Sequence, residues 1–205
     1  MNIEVFKQAS IKLTSRKTIY FDPYEFQTSA HDADYIFITH DHYDHYDEKS
    51  IKNILNENTT LIVPTCLKDQ AKELTENIII VEPNQHYRLT DISFETIPSY
   101  NTVAPFHPKE KLYVGYNILF DGMYYYIMGD TNRTEESDKV KTDVCFVPIG
   151  GTYTMDVEEA SDYINQLKPK KVIPIHYGSI VGDISLGEDF KNKISNEIEV
   201  ELLLN

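Results

Sequence analysis

The segment Thr39-His40-Asp41-His42-Tyr43-Asp44-His45 constrains this chain more than any other part of it. It follows a compact apolar run, Tyr35 to Thr39, that reads as a buried strand. It precedes Asp47, placed as a helix N-cap, with Glu48 in the first turn and Ile51, Ile54 and Leu55 on one helical face. In an extended backbone, residues two apart point the same way, so the imidazoles of His40 and His42 can reach one ion. Asp44 and His45 follow as the chain turns into the helix, which aims them at a neighbouring point. Four ligand-type side chains thus converge from one loop pinned at both ends. Neutral imidazoles supply affinity, a carboxylate supplies charge, and the flanking elements fix the geometry. The plain alternative is a polar loop that happens to be histidine-rich, and the spacing directly after an apolar strand argues against it.

One loop cannot fill two metal spheres, so more ligands are expected at other strand ends. Asp130, in Met128-Gly129-Asp130-Thr131, ends an apolar run, and the glycine lets the backbone turn its carboxylate into a pocket. It is the expected bridging ligand. His176 ends Val172-Ile173-Pro174-Ile175 and is expected to ligate, as is His107 in the loop Phe106-His107-Pro108-Lys109. His31 and His86 lack such contexts and read as surface residues. Gly150-Gly151-Thr152-Tyr153-Thr154 offers backbone N–H groups to an anion, but a turn into a helix capped by Asp156 accounts for it as well.

Around these residues the chain alternates short elements. Ile3 to Phe6, Ile11 to Leu13 and Thr18 to Phe21 form an expected meander. Strands at Leu61 to Val63 and Ile78 to Val81 flank a helix near Cys66 to Leu74. Further strands are expected at His86 to Leu89, Ile92 to Ile97, Tyr113 to Phe120 and Tyr124 to Met128, with Asp121-Gly122 as a hairpin turn. Val144 to Pro148, Val172 to Ile175 and Ile198 to Leu204 read as strands, and Asp156 to Leu167 and Leu186 to Ile194 as helices. Strand clusters in both halves, each with helices, predict an α/β fold of two packed sheets with helices outside. No Pro/Gly/Ser-rich or charge-run linker divides the 205 residues, so one domain spanning 1–205 is expected.

A formal net charge of −14 disfavours nucleic acid or an anionic membrane as partner. A small-molecule substrate, even an anionic one, remains compatible, because a dinuclear centre would dominate the local potential. Cys66 and Cys145 sit in apolar contexts and read as inert core thiols. The N-terminus has no signal-peptide core and no apolar run approaches membrane-spanning length, so a soluble cytoplasmic protein is expected.

The string from Thr39 to His45 resembles the signature loop of the metallo-β-lactamase superfamily, and the resemblance covers nearly the whole chain. Phe21-Asp22-Pro23 resembles its early strand end, Gly129-Asp130-Thr131 its bridging-aspartate turn, and Ile175-His176-Tyr177 its final ligand. Pro148 to Met155, Pro98-Ser99-Tyr100-Asn101 and Phe106 to Lys109 resemble the small stand-alone branch related to ascorbate-6-phosphate lactonase, described as metal-dependent hydrolases. The resemblance implies an αββα four-layer sandwich with metals at one edge of the sheets. It implies that His40, His42 and a third histidine hold one ion, that Asp44, His45 and His176 hold the other, and that Asp130 bridges. One departure stands out: the superfamily's third histidine usually lies in a Gly-His loop right after a strand. Here that region reads Ser99-Tyr100-Asn101, with no histidine until His107.

The expected cofactors are two divalent ions, zinc foremost, with manganese or iron also suited to these ligands. Two ions about 3.5–4 Å apart hold a bridging hydroxide at neutral pH and clamp both ends of a displacement. Asp44 is the expected catalytic residue, as ligand and as orienter or proton acceptor, with Tyr153 and Tyr177 as candidate proton donors. The predicted activity is metal-dependent hydrolysis of an ester, lactone, amide or phosphodiester in a small molecule. The alternatives are a nuclease of the same fold and a non-catalytic metal-binding or sensor module. The sequence does not choose the substrate or the oligomeric state.

Overall fold

A computed structural model of the chain describes residues 1–204. Among the described residues thirteen strands form two sheets. The first has the order β1(Asn2–Val5), β2(Ile11–Thr14), β3(Thr18–Phe21), β4(Tyr35–Phe37), β5(Thr60–Pro64), β6(Ile78–Val81). Its first three strands are an antiparallel meander, and β3 to β6 pair in parallel. The helices α1(Glu48–Ile54) and α2(Lys68–Leu74) make the crossovers from β4 to β5 and from β5 to β6. The second sheet runs β13(Glu199–Val200), β12(Lys171–Ile175), β11(Val144–Pro148), β10(Met123–Ile127), β9(Val114–Phe120), β8(Ser93–Pro98), β7(His86–Arg88). It repeats the plan of an antiparallel meander, β7 to β10, followed by parallel strands β10 to β13. Its crossover helices are α3(Val157–Leu167) and α4(Leu186–Lys191).

Strand periodicity sorts the apolar residues into three layers. Tyr35, Phe37, Ile62, Phe94, Tyr116, Ile118, Phe146 and Ile173 meet between the sheets. Their neighbours Ile36, Ile38, Leu61 and Val63 face the other way, onto Ile51, Ile54, Leu67 and Ala71 of the first helical layer. Tyr126, Cys145, Val147 and Val172 likewise pack on Ala160, Tyr163, Ile164 and Phe190 of the second. The result is the expected αββα four-layer sandwich. The parallel strands are buried on both faces, which is why Val144 to Pro148 reads as an unbroken apolar run. Both cysteines are free, and burial raises both thiols, Cys66 to about 11. Among the described residues no helix is long and apolar enough to cross a membrane.

Most elements lie where the sequence puts them. Asp47 caps α1 by accepting from Lys49 N, and Asp156 caps α3 by accepting from Glu159 N. Asp121 and Gly122 both have positive φ, as a type I′ hairpin requires. The C-terminal expectations are too long. The helix from Leu186 ends at Lys191, and the strand expected over Ile198 to Leu204 is paired only at Glu199–Val200. Ile194 and Ile198 are buried against the second helical layer without regular structure, so their apolar character reports packing, not periodicity.

One edge of the sandwich collects the C-terminal ends of β3, β4, β8, β10, β11 and β12. Ligands in open α/β sheets bind outside the carboxyl ends of the strands. The seven expected ligands all lie in the loops that leave the sheets there.

Candidate metal centre

Four separate strand ends supply the cluster. His40 and His42 follow β4, and the turn that brings Asp44 and His45 inward is closed by the N–H groups of His45 and Tyr46 donating to His42 O. Asp130 follows β10 after Gly129, whose φ of +68° is a backbone state that side-chain-bearing residues rarely adopt. A Cβ there would also lie 3.1 Å from Thr39 Cβ. His176 follows β12 with φ +58°, a left-handed conformation that costs a non-glycine residue on the order of 1–3 kcal/mol. His107 comes from the loop between β8 and β9.

The side chains form three overlapping groups. His40, His42 and His107 make one, His40, His45 and Asp130 a second, and Asp44, His45 and His176 a third; within each, the ligand atoms lie within 4.8 Å of one another. Asp130 stands between them. Its Oδ2 is 3.1 Å from His176 Nε2 and 3.6 Å from His107 Nε2, and its Oδ1 is 3.3 Å from His45 Nε2. All seven predicted ligands are therefore brought to one place. His42 is partly exposed and the other six are buried. His31 and His86 are exposed, as expected.

Outer contacts set which nitrogen each ring presents. Asp22, with φ +42°, accepts from Thr39 N at 2.8 Å, from the Thr39 hydroxyl at 2.7 Å and from His45 Nδ1 at 2.7 Å. That leaves His45 Nε2 facing the cluster. With its proton committed to Asp22, the Thr39 hydroxyl accepts from His40 Nδ1 at 2.9 Å, which frees His40 Nε2. Asn101 Oδ1 accepts from both the backbone N–H and Nδ1 of His107, at 3.1 and 2.8 Å. Asn101 is itself held by donating to Tyr153 O and Asn132 Oδ1. The departure in the Ser99-Tyr100-Asn101 region thus has a physical resolution: Asn101 pins a histidine six residues further on.

The donor set fits a divalent cation. His40 Nε2, His45 Nε2 and Asp130 Oδ1 are buried without a hydrogen-bond partner. A buried polar atom left unpaired costs about 1–3 kcal/mol, and three facing one space are what a cation would satisfy. Imidazoles and carboxylates without thiolate suit zinc, manganese or iron.

The carboxylates and imidazoles shift one another across the cluster. Burial works against ionisation of every group. The Asp130 and Asp22 carboxylates nevertheless raise His45, and Asp130 raises His176 to about 9. His40 and His107 have no such dominant partner, and burial lowers both, His107 to about 4. Asp44 is held down at about 2 against its burial by His176, His45 and the Gln8 amide, and Asp130 is lowered by His176 and His45.

Four residues that touch the cluster carry no role in the sequence reading: Gln8, Asp22, Thr39 and Asn101. Each is a single polar residue with no ligand-type spacing. Asp22 and Asn101 lay inside motifs noted only for family resemblance, and Gln8 lay in a hairpin turn. Tyr177, a candidate proton donor, is buried with its hydroxyl against Gly187 of α4, so it does not face the cluster. Tyr153 packs its ring on Phe106 at 4.7 Å, beside the His107 loop.

Comparison with known proteins shows which family the chain is similar to. The family described as the Beta-lactamase superfamily domain matches residues 2–176, a span ending on the last histidine of the cluster. A metal-dependent hydrolase of Staphylococcus carnosus is 29% identical over 188 residues, covering 84% of this chain and 79% of that protein. One of Caldivirga maquilingensis is 30% identical over 164 residues, covering 78% and 70%. Among solved structures, a Parabacteroides distasonis protein assigned as a metal-dependent hydrolase superposes with a TM-score of 0.83 at 29% identity, covering 99% of this chain and 93% of that one.

Proposed function

The chain belongs to the beta-lactamase superfamily, and from that premise we propose that it is a metal-dependent hydrolase with two metal poles in one cavity, acting on a small-molecule ester, lactone, amide or phosphodiester. The observation that carries this reading is the convergence of five imidazoles and two carboxylates, three of whose buried atoms, His40 Nε2, His45 Nε2 and Asp130 Oδ1, have no hydrogen-bond partner. His40, His42 and His107 would hold the first ion and Asp44, His45 and His176 the second, with the Asp130 carboxylate placed within reach of both groups. Bound divalent ions supply Lewis acidity toward a carbonyl or phosphoryl oxygen and make a water nucleophilic at neutral pH.

The chain's own residues do the rest. Asp22, Thr39 and Asn101 fix the ring orientations before substrate arrives, so little reorganisation is needed during reaction. Asp44 is poised as ligand and as orienter or proton acceptor, since its carboxylate stays ionised down to about pH 2. Tyr153, on the loop edge beside His107, remains a candidate to protonate a leaving group.

A small substrate is favoured over nucleic acid by the net charge of −14. Cations on the neighbouring loops are also engaged: Lys7 with Glu25, Lys109 with Glu136, and Arg133 with Asp138. Metal analysis of protein purified without added metal, followed by a screen of lactones, esters and phosphodiesters, tests the reading. Two ions per chain and metal-dependent turnover are expected. A single ion with no hydrolysis across the panel points instead to a metal-binding module.

A further inference from the structure

The turn joining β1 to β2 departs from the usual rule that connections run over the surface. Gln8, Ala9 and Ser10 are 0%, 1% and 0% exposed. Gln8 also has φ +60°, a left-handed state that glycine would occupy without strain. A glutamine kept there requires a reason in its side chain, and its contacts supply one.

The amide is oriented without ambiguity. Its Oε1 accepts from the backbone N–H of Ile180 at 3.3 Å and from the Ser179 hydroxyl, and a backbone N–H can only donate. The Nε2 end therefore faces the cluster, where it donates to Asp44 Oδ2 at 3.1 Å and lies 3.3 Å from His176 Nε2. The backbone takes part as well, since Gln8 O accepts from His176 N at 2.9 Å. One residue thus holds Asp44 by its side chain, His176 by its main chain, and the loop after His176 by its amide oxygen. Asp44 and His176 are the two members of the second pole outside the Asp22–His45 contact. The other pole has its own pins in Thr39 and Asn101.

We propose that Gln8 is the positioning residue of the second metal pole: it orients Asp44 and His176 for the second ion without ligating it and leaves the first pole untouched. The inference rests on the two-pole reading above. It predicts a selective effect. Outer contacts to metal ligands typically contribute about 10–100-fold in affinity. Gln8→Met keeps the side chain's length and removes both hydrogen-bonding ends.

The test is a calorimetric titration of the metal-stripped full chain with zinc, resolving two stepwise affinities. Gln8→Met is expected to bind the first ion as the wild type does and the second about 10–100-fold more weakly. Ser179→Ala, which loosens only the far end of the amide, is expected to shift the second affinity in the same direction by less. Should Gln8→Met not fold, Ser179→Ala carries the test alone. A merely structural Gln8 would lower the melting temperature of the stripped protein and leave both stepwise affinities within twofold of wild type. That result overturns the inference. A wild-type chain that holds one ion at saturation contradicts the two-pole reading itself, and the inference with it.

Discussion

His107 Nε2 lies 3.1 Å from His42 Nδ1, although 65 residues separate them in sequence. The contact completes a three-histidine pole that the Thr39–His45 loop cannot build alone. It is possible because Asn101 holds the other ring nitrogen of His107 at 2.8 Å. If His107 is a ligand of the first ion, His107→Ala should bind one ion fewer per chain, or bind the first at least about 10-fold more weakly. Asn101→Ala should weaken the same ion by about 10–100-fold without removing it. Elemental analysis after dialysis against a weak chelator checks both. Unchanged stoichiometry and affinity in His107→Ala would remove it from the sphere.

Asp44 separates mechanism from ligation. Asp44→Asn keeps size and one oxygen but removes the negative charge and the capacity to accept a proton. Turnover should fall by about 10²–10⁴-fold at saturating metal, the usual range for a general base. Occupancy is measured on the same sample. A variant that holds both ions and turns over like wild type clears Asp44 of any role in proton transfer.

Asp22 predicts an effect at a distance from the ion. Its carboxylate accepts from His45 Nδ1 and from the N–H and hydroxyl of Thr39. Asp22→Ala strips all three donors of their partner in a fully buried site, at about 1–3 kcal/mol for each left unsatisfied. The melting temperature of the metal-free chain should drop, and His45, no longer fixed in one tautomer, should bind metal more weakly. A chain with unaltered melting temperature and affinity would show that the Asp22 contacts do not orient the ring.

Proton release follows from the charges around the His45 and His176 imidazoles. His176 is raised to about 9 and His45 is raised too, so both carry a proton at pH 7 in the metal-free chain. A ligating imidazole must be neutral, so metal binding at pH 7 should expel about two protons per chain from these residues. Release should decline as pH rises through about 9, where His176 is already neutral before metal arrives. His40 and His107 are lowered and contribute nothing at pH 7. Calorimetry in buffers of different ionisation enthalpy counts the protons. A count near zero at pH 7 would mean that both rings are neutral before binding.

Much of this was legible in the sequence, for physical reasons that differ between residues. His40, His42, Asp44 and His45 stand out because their spacing sits directly after an apolar strand. Asp130 and His176 stand out because each ends an apolar run, Asp130 directly after a glycine. The sandwich was legible because strands such as Val144–Pro148 are apolar on both faces while α1 and α3 are apolar on one. Gln8 was not legible. A lone glutamine in a hairpin carries no period, and its meaning lies in contacts to residues 36 and 168 positions away. The short pairing at Glu199–Val200 was missed because Ile198 and Leu204 pack on the second helical layer while Leu203 packs between the sheets. Apolar content alone does not tell a ladder from a packed coil.

We propose that one cluster holds two ions through two distinguishable ligand groups. The most direct test is the metal content of the saturated chain beside two single variants, one from each group. The wild type should hold two ions, and His42→Ala and His176→Ala should each hold one. The double variant should hold none. A wild type saturating at one ion, or both variants retaining two, would contradict the account.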